Sequence, residues 1–341
     1  MKKTIPAFLC DQRQKIPPVP QADLTGKVVM VIGANIGLGF EATKHFARMN
    51  PARLILACRN EEKGEAAISE LEAETGYQGA ELRIVDLSSF KSVQDLAASV
   101  DNDGLAIDIV VYNAAVLMKE HQTTADGWEQ TLHVNVLSAL LLPVLLIPAA
   151  QRAATARPGS KPRLVIVGSD VHYFAVMPEK VIHGPSGKVL HELNKPENWL
   201  VASAQQPRYN QSKLLTLLLV RELAKRLEHT PIIAVVVNPG YCVSALRRNL
   251  PTGRQRVARF MEMAVGRSTE EGSRMLVWSA VGNEGREDEL RGAYVNICKV
   301  DEPSDFVISE VGQEVQKRVW AESVDVLSTV SPAFKQIVAQ L

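Results

Sequence analysis

Tyr209 and Lys213 stand four residues apart, so a helix through this stretch puts both on one face. A free tyrosine has a pKa of about 10 and is a poor base at neutral pH. A neighbouring ammonium favours its phenolate. Lowering a phenol by about 3 units requires roughly 4 kcal/mol of differential stabilisation, and Lys213, on the same helix face, is one source. Such a pair suits proton exchange with a substrate oxygen. Ser169 offers a hydroxyl that can hydrogen-bond to that same oxygen. Asn135 offers a group to hold a water that relays protons through Lys213. Alone, each residue also has an ordinary structural role: a half-buried aromatic, a surface charge, a turn serine. Their order behind a glycine-rich turn favours a reaction centre.

That turn is Gly33-Ala34-Asn35-Ile36-Gly37-Leu38-Gly39. It lies between a β-branched run, Val28–Ile32, and an expected helix over 40–49, the context that makes such a pattern informative. Glycines allow a tight turn and close backbone approach to phosphate, and the following helix N-terminus presents N–H groups to a pyrophosphate. Arg59 follows Gly39 by 20 residues. A basic side chain here accommodates a ribose 2′-phosphate, whereas an acidic one would bind the 2′-hydroxyl, so NADP(H) is expected. Asp86 can accept from the adenine amino group or cap the next helix, and Asn113-Ala114 places small groups at a strand end. A nicotinamide beside an acid–base pair points to hydride transfer between cofactor and an alcohol or carbonyl carbon, with no metal.

The elements needed to position these residues are legible. From Lys27 onward short apolar runs alternate with helical stretches, the pattern of βαβ units and a parallel sheet. Strands are expected at 28–32, 54–57, 81–85, 107–112, 163–167, 232–237 and 293–297. Helices are expected at 40–49, at 61–75 closed by Gly76, from Ser88 or Ser89 to Val100, through Asn135, at 207–228, from a Thr269 cap to about Gly282, and at 309–327. The class is thus α/β, a doubly wound parallel sheet of about seven strands. Residues 1–25, with Pro17, Pro18 and Pro20, suggest an extended arm, 26–300 the main domain and 301–341 a helical extension. Two stretches, 170–206 and 241–266, break the alternation at the sheet end where open α/β folds bind ligands.

The 341 residues carry 38 Lys+Arg and 38 Asp+Glu. Zero net charge suggests neither a nucleic-acid partner nor an anionic membrane. Cys10, Cys58, Cys242 and Cys298 are widely spaced, with no C-x-x-C, which suggests a reduced, cytoplasmic setting without disulfides or zinc. The apolar run 136–150 falls short of the roughly 20 residues of a membrane span and contains Pro143 and Pro148, so a helix buried in the core or at a subunit interface is expected, with membrane association the alternative.

With these residues in place, the chain resembles the short-chain dehydrogenases/reductases from about Gly26 to Gly240. The motifs are Gly33-x-x-x-Gly37-x-Gly39, Asp86-Leu87, Asn113-Ala114, Asn135, Ser169, Tyr209-x-x-x-Lys213 and Pro239-Gly240. The resemblance implies a Rossmann-type fold, a catalytic tetrad of Asn135, Ser169, Tyr209 and Lys213, and a nicotinamide ribose on Lys213. It implies further cofactor contacts from Asn35, Ile36, Leu38 and Leu87, with Pro239-Gly240 beside the nicotinamide and Ser244 near its carboxamide. Ala34-Asn35, Cys58-Arg59 and Ser169-Asp170-Val171-His172 look most like the retinol-dehydrogenase-like branch. Gln316-Lys317-Arg318-Val319-Trp320 is similar to fungal members, many of which serve secondary metabolism. Family likeness also suggests a homodimer built partly on the Asn135 and Tyr209 helices. Ile32 stands where the family usually has Thr, Tyr112 and Ala115 replace Asn and Gly of Asn-Asn-Ala-Gly, and Gly168 replaces the first Ser of Ser-Ser.

Between Ser169 and Tyr209 lie 39 residues, against about a dozen in many members. They include Tyr173, Phe174, Met177 and Trp199, and 241–266 includes Phe260, Met261 and Met263. These suggest walls around a bulky lipophilic substrate, or, for the first, a surface excursion packed by its own aromatics. Two other functions fit the motifs less closely: a non-catalytic NADP(H)-binding regulator, and an epimerase or dehydratase using the same Tyr and Lys.

Overall fold

A computed structural model describes residues 3–184, 187–199, 207–244, 246 and 262–341. The expected strands form the centre of one sheet. These are β1 (Val28–Ile32), β2 (Arg53–Cys58), β3 (Ala80–Ile84), β4 (Ile109–Tyr112), β5 (Arg163–Val167), β6 (Ile233–Asn238) and β7 (Tyr294–Asn296). They lie parallel in the order β3-β2-β1-β4-β5-β6-β7. Every residue of β1, β5 and β6 is buried, which explains why these strands read as continuous Val/Ile runs and not as alternations. The connections reverse direction between β1 and β4, and that crevice at the strand carboxyl ends is the fold's ligand site.

Three features depart from expectation. An eighth strand, β8 (Lys299–Asp301), pairs antiparallel with β7. Its two-residue turn puts Ile297 and Cys298 at φ +50° and +54°. Such hairpin turns favour Asn-Gly, so Ile-Cys carries no turn signal. Second, the amino-terminal arm is not extended throughout. Ile5–Arg13 is a helix whose cap, Thr4, accepts from the Ala7 N–H at 3.3 Å, with Pro6 in its first turn. Pro17, Pro18 and Pro20 give the arm its extended pattern, yet a cap followed by proline is a helix start. Third, the Thr269–Val281 helix is capped one residue early, by Ser268, in a reciprocal capping box with Glu271.

The apolar run lies in a helical stretch, Gln130–Ala156, that is long and apolar enough to cross a membrane, but 89% of its most apolar window is buried in the protein. It begins with a turn of α-helix, widens to a π-turn over His133–Leu137, and continues as Ser138–Leu145 and Ile147–Ala156. The carboxy-terminal helices Glu310–Val330 and Pro332–Val338 pack on the Pro207–Arg226 and Ser138–Leu145 helices. Val315, Val319, Trp320, Leu327 and Phe334 join the same core as Leu140, Leu214 and Leu218.

Candidate active site

The glycine turn is held by backbone and by Asn113. The Gly33 N–H donates to Ala57 O at 2.8 Å, and the Asn113 amide donates to Gly33 O at 2.9 Å. The amide thereby steadies the loop although Ile32 supplies no hydroxyl. A Cβ on Gly39 would sit 2.2 Å from Gly33 O, so only glycine fits there. Gly37 has φ +66° and open space where its Cβ would lie. The helix that starts here has no side-chain cap from Ile36 and no acidic residue in its first turn. An open cradle at Gly37 above uncapped N–H groups fits an anionic pyrophosphate.

Around the turn, Asn35 is half-buried, Ile36 is exposed, and Leu38 packs toward Gly272 of the Thr269–Val281 helix. Arg59 is exposed just past β2, and Asn60 caps the next helix by accepting from Lys63 N–H at 2.8 Å. Asp86 is not a helix cap: its Oδ1 accepts from Ser88 N–H at 2.9 Å and Ser88 hydroxyl at 2.6 Å, while Ser89 caps the Phe90–Asn102 helix. Leu87 is buried and its carbonyl accepts from Ser138 at 2.8 Å. The N–H groups of Asn113 and Ala114 both donate to Ile32 O.

Lys213 is the pivot of the candidate site. Its side chain is 3% exposed, its ammonium donates to Val167 O at 2.7 Å, and the same ammonium lies 5.7 Å from the centroid of the Tyr209 ring. Burial pushes it down to about 8 from 10.5. The Pro207–Arg226 helix is thereby drawn against the end of β5 and the short turn Asp170–Phe174, where Ser169 sits as cap, its hydroxyl accepting from Val171 N–H at 3.2 Å. Gly168 is the small residue that close packing requires, since a Cβ there would meet Val236 at 2.5 Å.

Asn135 lies in the π-turn, a distortion found frequently at functional sites. Its side chain is committed: the amide donates to Val116 O at 2.9 Å and Ser212 Oγ at 3.1 Å, and its oxygen accepts from Val116 N–H at 2.9 Å. It joins the Tyr209 helix to the loop after β4, and its main-chain carbonyl accepts from the Thr216 hydroxyl at 2.7 Å. In place of the usual Asn, Tyr112 is buried and donates to Val134 O at 2.9 Å in the same π-turn.

Two residues with no role assigned from sequence link the loops. Asn238, 1% exposed, accepts at Oδ1 from the N–H of Asp170 at 3.1 Å and of Gly240 at 3.0 Å. One oxygen thus ties the Ser169 loop to the Pro239-Gly240 turn, where Gly240 has φ +77°. A polar residue ending an all-apolar buried strand was the available signal. His172 accepts at Nε2 from Ser304 N–H at 3.2 Å, which leaves Nδ1–H to donate to Ser169 O at 2.7 Å.

A sequence model of the short chain dehydrogenase family matches residues 27–172. A short chain dehydrogenase/reductase of Cryptosporiopsis sp. is 34% identical over 330 residues, covering 95% of this chain and 98% of its own. A short-chain dehydrogenase of Penicillium roqueforti is 35% identical over 335 residues, covering 96% and 84%. The chain belongs to the short-chain dehydrogenase/reductase family. Among solved structures, an uncharacterised protein of Mycobacterium paratuberculosis shares the fold with a TM-score of 0.63 at 24% identity, covering 91% of this chain and 96% of its own. A short chain dehydrogenase of Shigella flexneri complexed with NADP gives 0.57 at 21% identity, covering 81% and 99%. The expected likeness to fungal members accords with both relatives.

In this short-chain dehydrogenase/reductase the long insert is built into the body. Val189, Leu190 and Leu193 are buried, and Glu322 of the Glu310–Val330 helix accepts from the N–H groups of Leu190 and His191, each at 2.8 Å. Arg208, 4% exposed and next to Tyr209, donates to Leu193 O at 2.6 Å and Asn198 O at 3.2 Å. Gln211 donates to Val176 O at 2.8 Å. The insert therefore anchors the start of the Tyr209 helix. Trp199 stacks edge-on against His121 of the loop after β4, a contact from the insert to the body of the fold. Residues 200–206, with Phe260 and Met261 of the second stretch, lie outside the described residues; Ser244 sits half-buried at the edge of them.

Proposed function

We propose that the protein interconverts a carbonyl and an alcohol on a bulky lipophilic substrate with NADP(H). The observation that carries this reading is the Lys213 ammonium, buried, donating to Val167 O and facing the Tyr209 ring. Gly33, Asn35, Ile36, Gly37, Leu38, Gly39, Asn113 and Ala114 would seat the pyrophosphate and adjoining ribose. Arg59 would pair with the 2′-phosphate, a contact an exposed guanidinium can make without being uncovered. Asp86 and Leu87 would receive the adenine, and Pro239, Gly240 and Ser244 the nicotinamide. When bound, the cofactor supplies or accepts the hydride.

The chain's own residues handle the proton. Tyr209 gives its phenolic proton to the substrate oxygen during reduction and takes one back during oxidation. The Lys213 charge stabilises the phenolate left behind. The Ser169 hydroxyl donates to the substrate oxygen and holds it in line with Tyr209. Segments 170–206 and 241–266 would form the substrate walls; exposed Val176, Val243 and Met263 supply apolar surface at that end. A preference for NADPH makes reduction the direction in a cell, and the fungal relatives suit a role in secondary metabolism. The four cysteines form no disulfide among the described residues, and a cytoplasmic setting is part of this proposal.

The test is the absorbance of reduced nicotinamide, followed with NADPH and NADH across a panel of lipophilic ketones and aldehydes. NADPH consumption that Tyr209→Phe abolishes is the expected result, with Arg59→Asp shifting preference toward NADH. Tight NADPH binding without turnover of any substrate would favour a regulatory protein.

A further inference from the structure

The amino-terminal helix, which precedes the family match at residue 27, reaches the carboxyl end of the sheet. Gln12 is 6% exposed and its primary amide pairs with backbone on both edges. Its nitrogen donates to Tyr241 O and Val265 O, each at 3.0 Å, and its oxygen accepts from Tyr241 N–H at 3.0 Å. Tyr241 and Val265 lie at the neck of the second substrate-side stretch, where Val243 N–H donates to Arg267 O and Arg267 N–H to Tyr241 O. The Gln12 oxygen is so close to the preceding turn that a Cβ on Gly240 would lie 2.7 Å from it.

The same segment grips the Ser169 loop. The Lys3 ammonium, its side chain 4% exposed, is 2.6 Å from Asp11 and 2.8 Å from Asp170. Burial opposes its charge, but the two carboxylates more than compensate and raise it above the usual lysine value. Asp170 also accepts from the Tyr294 hydroxyl, and Arg267 donates to Asp11 O. A chain segment outside the dinucleotide fold thus touches both loops that Asn238 joins.

We propose that Gln12 is a positioning residue of the active site: it sets the Gly240–Tyr241 backbone against which the nicotinamide end of the cofactor rests, while Lys3 steadies the loop carrying Ser169. This deepens the NADP(H) reading and rests on it. Unpaired buried N–H and C=O groups are costly, so loss of the amide releases the neck to seek other partners. The effect falls on the turn and not on β1 to β5, whose ladders Gln12 does not touch.

The experiment compares wild type with Gln12→Met, which keeps length and removes the amide. NADPH affinity is read by quenching of protein fluorescence, backbone opening by hydrogen exchange, and global stability by the thermal midpoint. The expected result is about tenfold weaker NADPH binding and about tenfold faster exchange at Tyr241 and Arg267, with β1 to β5 and the midpoint close to wild type. Unchanged affinity with unchanged Tyr241 protection would overturn the proposal, as would acceleration spread evenly over the sheet. Should Gln12→Met fail to fold, Gln12→Glu keeps the acceptor for Tyr241 N–H, loses both donors, and reads the same quantities. Wild type that binds no NADPH would refute the cofactor reading, while exchange at Tyr241 would still decide whether Gln12 holds the turn.

Discussion

The ammonium of Lys213 donates to the carbonyl of Val167 at 2.7 Å, two residues before Ser169 in the chain. One hydrogen bond fastens the helix that bears Tyr209 to the strand that delivers the serine. It is buried, and that gives it a pH signature.

Burial holds Lys213 at about 8, against 10.5 without it. Between these values the unfolded chain binds more protons than the folded one, so this group makes stability rise with pH across that window. The gap corresponds to roughly 3 kcal/mol. Urea unfolding of the cofactor-free protein should show wild type gaining about this much relative to Lys213→Met between pH 8 and 10.5. A pH-independent difference would mean that the lysine is not desolvated as described.

His172 acts in the same direction at acid pH. Burial lowers it to about 4 from 6.5, and its Nε2 must stay unprotonated to accept from Ser304 N–H. Its folded value lies below its unfolded one, so stability is lost as pH falls from about 6.5 toward 4. His172→Leu should be less stable than wild type at pH 7, by about 1–3 kcal/mol for the Ser304 donor left unpaired. The variant should also lose that part of the acid dependence, both checked by unfolding at a series of pH values.

Gly39 and Gly37 should respond differently to alanine. At Gly39 the new methyl meets Gly33 O at 2.2 Å, so backbone must move. A cost of about 1–3 kcal/mol is expected, together with loss of measurable NADPH binding. At Gly37 there is room, and only the left-handed backbone opposes alanine, at about 1–2 kcal/mol. Thermal midpoints and NADPH titrations of the two variants separate crowding from strain.

The helices on which family likeness would build a dimer are covered by the chain's own carboxy terminus. Gln316 donates to Glu222 at 2.9 Å, and Arg226 lies 4.7 Å over the Trp320 ring. No large hydrophobic residue of Gln130–Ala156 or Pro207–Arg226 is exposed among the described residues. Sedimentation or light scattering should therefore give a monomer near 37.4 kDa, and removal of 305–341 should expose Leu and Val faces and cause association. A stable dimer of the full chain would show that another surface is used.

The sequence alone determined the class of fold and named the candidate residues of the site. Buried parallel strands appear as Val/Ile runs, a glycine turn between strand and helix has few alternatives, and Tyr209 and Lys213 share a face by helical spacing alone. These are local properties, carried by residues a few positions apart. Tertiary structure decided the rest, because the partners are distant along the chain. Gln12 meets Tyr241 across 229 residues, with no periodicity to announce it. Nothing in the sequence near Lys3 announces its pairing with Asp170, 167 residues away. Asn135 reads as a water ligand, and only the fold shows that its amide also meets Val116 and Ser212. The β7–β8 hairpin carries no turn signal in Ile297-Cys298, and its antiparallel ladder and the Asn296–Asp301 hydrogen bond hold it. Hydrogen bonds between distant loops are chosen by geometry that exists once the core has formed, and the physical reason for this site's shape lies there.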